Sequence, residues 1–147
     1  MATNQEQLLQ MARLISRAHR GLHCLVQPRL EQQGSLTVTE MMVVRLVKEE
    51  GSPRASYISD KLGIPPSTMT SILDRLEAKG VVRRVRHVDD RRAVLVQLED
   101  GAAEVKKEFE TVLARELSLV FGDISPDKLK EITANLEFIT QKLQPKR

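Results

Sequence analysis

The chain has 147 residues and a net charge of +3. This length fits one compact domain or two small lobes and leaves no room for a separate catalytic domain. No apolar run approaches the roughly 20 residues of a membrane span, the N-terminal stretch lacks a signal-peptide pattern, and the single cysteine excludes an intramolecular disulfide, so we expect a cytoplasmic protein.

The stretch from Asn4 to about Gln32 is predicted to form a long first helix. Its apolar residues recur at steps of three and four, which places them on one stripe of the helix. Pro28 falls in the last turns, and Gly34 ends the helix. Because this stripe precedes any core in the sequence, it must pack on a distant segment or on another chain. The stripe consists of Leu8, Met11, Ile15, Ala18, Leu22 and Leu25.

Two shorter helices are predicted next. Thr37 or Thr39 caps the second helix, with Glu40 in its first turn, and residues 51–53 stop it. The third helix covers roughly residues 55–62. The buried face predicted for the second helix consists of Met42, Val43, Leu46 and Val47.

A fourth helix begins at Pro66, which suits a first helical position, and Gly80 is its natural C-terminal cap. A tight turn at residues 63–65 joins it to the third helix. Two helices connected by about three residues that include a glycine are typical of a helix-turn-helix, in which the second helix reads DNA. The inner face predicted for the fourth helix consists of Met69, Ile72, Leu73 and Leu76.

After Gly80 the apolar residues alternate with polar ones, which predicts a β-hairpin with its tip at residues 89–91. Residues 81–92 contain five arginines and two aspartates, so their charge of +3 equals that of the whole chain. Such local charge favours binding to a phosphate backbone, because affinity there comes from the release of condensed counterions. The sequence therefore predicts a winged helix-turn-helix that binds double-stranded DNA.

Two helices complete the chain. Residues 100–101 open the fifth, which ends near Gly122, and Ser125 with Pro126 begins the sixth. The spacing of the first and last apolar stripes resembles that of interchain packing, which favours a homodimer. The inward positions are Val105, Phe109, Val112, Leu113 and Leu117 in the fifth helix, and Leu129, Ile132, Leu136, Ile139 and Leu143 in the sixth.

The predicted fold class is mainly α (α+β). A winged helix-turn-helix core with a two-stranded β-wing is flanked by N- and C-terminal helices that form a dimerisation lobe. We divide the chain into an N-terminal dimerisation helix (residues 1–35), a DNA-binding domain (residues 36–99) and C-terminal dimerisation helices (residues 100–147). A two-fold dimer would hold paired reading helices about 34 Å apart, matching successive major grooves of a pseudo-palindromic operator.

Several short motifs carry a family resemblance. They are Leu36–Thr37, Ile58–Ile64, Ser67–Thr70, Asp74–Glu77, Lys79–Gly80, Arg84 and Asp90–Ala93. On these motifs the sequence resembles the multiple-antibiotic-resistance regulator (MarR) family of bacterial transcription factors over essentially its whole length. The resemblance implies a dimer joined through its terminal helices. It also implies a repressor that leaves DNA on sensing a small anion, a phenolic compound, a metal or an oxidant.

The outer face of the fourth helix is predicted to face the major groove, where short hydroxyl side chains let the backbone approach. Ser71 stands where the family often has an arginine, and Pro65 where a serine cap is common, so base reading by this helix is expected to be modest. Arg75 has an alternative role as an ion-pair partner of Asp74 or Asp90. The residues predicted to contact DNA on this helix are Ser67, Thr68, Thr70, Ser71 and Arg75.

The wing supplies the second set of predicted DNA contacts. By resemblance to the family, Arg92 enters the minor groove while Asp90 holds its guanidinium, and a narrow A·T-rich groove attracts such an arginine. The other arginines are expected to contact phosphates. The predicted wing residues are Arg84, Arg86, Asp90, Arg91 and Arg92.

His19, His23 and Cys24 form the one chemically suggestive cluster outside this face. Histidines four residues apart can face one zinc ion from the same side of a helix. Two ligands do not make a site, so hydrogen bonds beside the apolar stripe are the favoured interpretation and no metal site is predicted. Cys24 is expected to be buried and inert. A redox- or metal-sensing regulator that uses these side chains is kept as an alternative.

The sequence does not identify the residues of an effector site. A cleft lined by the first, second and fifth helices is the expected place for a small-molecule effector. A nucleophile elbow, a glycine-rich phosphate loop and a metal triad are absent, so we predict no enzyme activity, no catalytic residue and no cofactor. A winged-helix module that binds only proteins is a further alternative, which the concentration of arginines disfavours.

Overall fold

The computed structural model describes residues 3–144, which form six helices and one two-stranded antiparallel sheet. No helix in this range combines the length and the apolarity of a membrane span. The elements in chain order are α1 (Asn4–Gln32), α2 (Val38–Glu50), α3 (Ala55–Leu62), α4 (Pro66–Ala78), β1 (Val82–Arg86), β2 (Val94–Leu98), α5 (Ala102–Phe121) and α6 (Pro126–Leu143).

Local capping determines where α2 begins. The Thr37 hydroxyl accepts a hydrogen bond from the Glu40 backbone N–H at 3.1 Å, and the Glu40 carboxylate accepts one from the Thr37 backbone N–H at 3.0 Å. This reciprocal pair satisfies two N–H groups that would otherwise lack helical partners. Thr37, rather than Thr39, is therefore the cap.

The chain divides into two compact units, one extending to Leu113 and the other starting at Ala114. The first contains the hydrophobic core, built by α1 to α4, the sheet and the first turns of α5. Met42 was predicted to be buried in α2 but is 42% exposed, because Met41 and Val44 face the core instead. In α1 only Val26 and Leu30 are buried, so the stripe predicted from Leu8 to Leu22 is largely uncovered.

The wing is fixed to the helix-turn-helix at its base. β1 and β2 pair in antiparallel register from Val82 opposite Leu98 to Arg86 opposite Val94. The backbone before α3 adds to this edge, because Arg54 forms a β-bridge with Leu95. The connecting loop spans residues 87–93 and is wider than the predicted tip. Because β2 is paired with β1 on one edge and with Arg54 on the other, the connecting loop is the part of the hairpin that lies outside this pairing.

A close contact between two glycines joins the end of α4 to the start of α5. Gly80 has φ +68°, a left-handed conformation that suits glycine at the end of a helix. A Cβ atom placed on Gly101 would lie 2.6 Å from the Gly80 carbonyl oxygen, closer than real contacts allow. Because Gly101 has no side chain, the segment before α5 can pass close to the segment after α4, beside the wing.

Candidate nucleic-acid interface

α4 separates an apolar inner face from a polar outer face. Met69, Ile72, Leu73 and Leu76 are buried, as the sequence predicted. The five predicted DNA-contacting residues on this helix are all exposed. They are Ser67, Thr68, Thr70, Ser71 and Arg75.

The hydroxyl groups on this face fall into two kinds. Thr70 Oγ1 donates to the Pro66 carbonyl oxygen at 3.0 Å, and Ser71 Oγ donates to the Ser67 carbonyl oxygen at 3.3 Å. Within residues 3–144, the hydroxyls of Ser67 and Thr68 make no such bond. The hydroxyls of Thr70 and Ser71 thus already donate to the helix backbone. Those of Ser67 and Thr68 remain available to donate to an external acceptor.

Arg75 pairs with Glu40 of α2, and not with either aspartate considered from the sequence. Its Nε donates to Glu40 Oε1 at 2.7 Å, and Lys79 Nζ donates to Glu40 Oε2 at 3.2 Å and to the Ser35 carbonyl oxygen at 3.2 Å. Burial raises the pKa of Glu40, but the bonds from Arg75 and the Thr37 backbone, with the charge of Lys79, outweigh it and lower that pKa. The carboxylate is therefore ionised at neutral pH.

Arg84 connects β1 to α4. Its Nε donates to Glu77 Oε2 at 2.9 Å, its backbone N–H donates to Glu77 Oε1 at 2.8 Å, and its guanidinium also bonds the Asp74 carboxylate. The hydrogen bond from Arg84 lowers the pKa of Glu77 despite burial, and the two carboxylates raise the pKa of Arg84. This contact between β1 and α4 was not predicted from the sequence, although the two acids, Asp74 and Glu77, lie one turn apart on α4.

At the wing tip, Asp90 orders the loop through its backbone and through a residue absent from the sequence predictions. Asp90 Oδ1 accepts from the backbone N–H of Arg92 at 3.1 Å, and Oδ2 lies 3.5 Å from Arg54 Nη1. The prediction that Asp90 holds the Arg92 guanidinium is therefore wrong in this structure, because Arg54 takes that place. Within residues 3–144, Arg91, Arg92 and Arg86 are exposed and have no ion-pair partner.

Among residues 3–144, the three chemically suggestive side chains of α1 do not belong to a larger group of potential metal ligands. Residues 3–144 contain no group of three or more potential ligands among histidine, cysteine, aspartate and glutamate. Cys24 is exposed, which corrects the expectation that it is buried. His19 and His23 instead line a cavity of about 150 Å³, and Cys24 does not.

This cavity lies against α1, α2 and α5, the three helices that the sequence predicted to line a cleft. Its wall is mostly aliphatic, with one aromatic ring from Phe109 and one cation from Arg45. The lining residues are His19, Leu22, His23, Val26, Val38, Met41, Met42, Arg45, Phe109 and Leu113. Apart from His19 and His23, these residues were not identified as ligand-binding from the sequence, because they come from three distant segments.

We expect Arg84→Met to lower the free energy of unfolding by about 1–2 kcal/mol at neutral pH, because two carboxylates lose their partner. The lowered pKa of Glu77 makes this stabilisation complete above its ordinary value of 4.5 and progressively lost as the pH falls through the lowered value. Urea denaturation should therefore show native and variant proteins converging in acid. Arg86→Met, on the same strand and unpaired, should change stability little at any pH. A difference that is independent of pH would contradict this assignment.

Comparison with known proteins agrees with this geometry. A model of the MarR family matches residues 36–94. The HTH-type transcriptional regulator YfiV of Bacillus subtilis is 30% identical over 113 residues, which cover 74% of this chain and 68% of that protein.

Solved structures share the fold. The transcriptional regulator BldR from Sulfolobus solfataricus superposes with a TM-score of 0.76 and 25% identity, over 97% of this chain and 100% of that one. A mutant of MarR from E. coli, complexed with operator DNA, has a TM-score of 0.67 and 22% identity, over 98% and 100% of the two chains. The chain, as its motifs predicted, belongs to the MarR family of transcriptional regulators.

Proposed function

We propose that this protein is a transcription regulator that binds double-stranded DNA as a homodimer, with α4 in the major groove and the wing in the minor groove. The observation that carries the proposal is the combination of an exposed hydroxyl-bearing face on α4 with unpaired arginines at the tip of the adjoining wing. Repression, the usual activity of the family, is the expected outcome of such binding.

The start of α4 supports phosphate binding. Pro65 occupies the N-cap position and provides no side-chain cap. The backbone N–H groups of the first turn therefore lack the partner that a serine cap would supply, and they lie at the positive end of the helix dipole. A phosphate oxygen accepts hydrogen bonds but donates none, so it suits these groups and the hydroxyls of Ser67 and Thr68. The departure from the family pattern at Pro65 thus favours an external anion.

The wing supports a minor-groove contact. Five arginines lie in residues 81–92, but the structure pairs Arg84 with acids of α4, and Arg83 with Gln97 and Glu99. Arg91 and Arg92, at the exposed loop, have no ion-pair partner in the part of the chain that the structure describes. Because Asp90 fixes the Arg92 backbone, the loop that presents this side chain is ordered before DNA arrives, which reduces the entropy lost on binding.

We expect Arg92→Ala to weaken binding to a duplex selected from genomic DNA by at least about tenfold, because each dimer loses two groove contacts. Fluorescence anisotropy with that duplex measures the change. Arg17→Ala, which removes the same charge from an exposed position on α1, is the matched control and should bind nearly as well as the native protein. Equal affinities of native and Arg92→Ala proteins, or failure of the native protein to select any duplex, would contradict the proposal.

The homodimer is supported by apolar surface that each unit leaves uncovered. In α1, Leu8 is 54% exposed and Leu22 45% exposed, and no described residue of α6 is buried. Contiguous apolar stripes of this kind are rare on soluble monomers and typical of surfaces that meet another chain. The terminal helices therefore remain our proposed dimerisation elements.

The double variant Leu129→Glu/Leu136→Glu places two charges in the stripe of α6 and should produce monomers in sedimentation velocity. Duplex affinity should fall by roughly a hundredfold, because each half-site is then bound separately. Ala134→Glu/Gln141→Glu adds the same charge on the other side of the helix and should remain dimeric. Persistence of the dimer in the first variant would remove α6 from the proposed interface.

The α1–α2–α5 cavity supports an effector site. Its aliphatic wall suits a small apolar body, and Arg45 with two histidines suits an acidic group on it. An effector bound here would alter DNA affinity only by favouring one arrangement of the dimer over another.

We expect benzoate to release the protein from its duplex at concentrations where benzamide has no effect, because only the carboxylate forms a charge-assisted bond with Arg45. Arg45→Met should weaken the response by about tenfold. The measurement is a titration of each compound into the protein–duplex complex. Equal responses to acid and amide would contradict the assigned chemistry.

A further inference from the structure

Glu40 is fully buried, yet both cations that it binds are partly exposed, Arg75 on α4 and Lys79 directly after its last residue. The side chains of Arg75 and Lys79 are 53% and 33% exposed, whereas that of Glu40 is 1% exposed. The Glu40 carboxylate thus completes the capping box of α2 and also binds side chains of the helix proposed to enter the major groove. Its two oxygens accept three different donors, from Thr37, Arg75 and Lys79.

The pairing uses one part of the Arg75 side chain and leaves another available. Only Nε donates a hydrogen bond to Glu40, and within residues 3–144 neither Nη atom makes a hydrogen bond. Because the guanidinium is planar and rigid, fixing Nε also fixes the direction of both Nη groups. A fork held in this way matches the geometry of two phosphate oxygens.

We propose that Glu40 is a positioning residue for DNA binding, which holds Arg75 so that its two Nη groups meet a backbone phosphate. This inference rests on the proposed function. Glu40 itself does not contact DNA, since it is enclosed between α2 and α4. Lys79 balances the second carboxylate oxygen and ties the end of α4 to the Ser35 carbonyl, so the helix and its arginine are held at two points.

Neutralising Glu40 should change the affinity for DNA in opposite directions if Glu40 positions Arg75 and if it acts only through its charge. Coulomb repulsion predicts that removing an acid beside the DNA surface strengthens binding. A purely structural role predicts unchanged affinity wherever the variant is folded. Positioning predicts weaker binding, because an untethered Arg75 must lose conformational freedom on reaching the phosphate. The direction of the change therefore identifies the role.

The test compares native protein, Glu40→Gln, Arg75→Ala and their double variant by anisotropy with the labelled duplex recovered from genomic selection. We expect Glu40→Gln to weaken binding about fivefold, and the double variant to bind no more weakly than Arg75→Ala. Arg75→Ala should reduce the slope of log affinity against log salt by about 1 per protomer. Asp60→Asn removes an exposed acid of α3 that holds no cation within the described range, and should leave binding unchanged or stronger.

Arg75→Lys serves as a second variant that does not depend on the fold of Glu40→Gln. Lysine keeps the charge but has one ammonium group, which Glu40 would occupy, so its affinity should approach that of Arg75→Ala. Native-like affinity in Arg75→Lys, additive losses in the double variant, or unchanged or tighter binding by folded Glu40→Gln would each overturn the inference. Failure of the native protein to bind any duplex would overturn the proposed function and this inference together. If the native protein binds, the results for the variants test this inference alone.

Discussion

The buried carboxylate of Glu40 determines how α4 lies on α2. Burying an ionised carboxylate costs several kcal/mol unless cations and N–H groups replace its water, and here two cations and one backbone N–H do so. Arg75 and Lys79 lie one helical turn apart, so sliding α4 by one turn would leave at most one of them within reach of the carboxylate. The pairing therefore selects one placement of the helix from those that apolar packing alone would permit.

A second set of charged contacts fixes the wing. Arg84 bonds two acids of α4, and Arg54 pairs with Asp90 at the loop. These contacts divide the arginines of the wing into those used for structure and those left for a ligand. The first group makes the hairpin part of the helix-turn-helix surface, and the second group supplies positive charge that has no ion-pair partner among residues 3–144.

α2 connects two features that are distant in the sequence. Its first turns supply Val38, Met41 and Met42 to the cavity wall, while Glu40 between them faces α4. Gln27 of α1 also accepts a hydrogen bond from the Val38 backbone N–H at 3.2 Å. Under the proposed function, a change in cavity shape would act on the helical turn that holds Arg75, so an effector in the cavity would have a short physical route to the face proposed to bind DNA.

The sequence by itself determined the elements of this protein. Interactions within four residues set them, such as the Thr37 capping box and the turn that places α3 at residues 55–62, and the arginine-rich hairpin indicated the nucleic-acid surface. Only the tertiary structure decided which charges pair. Glu40 and Arg75 are 35 residues apart, and Arg54 reaches Asp90 across the sheet edge, so no local pattern encodes either contact. The exposure of Met42 and Cys24 was likewise decided by which neighbours pack against each helix face, a property of the assembled core and not of the helix period.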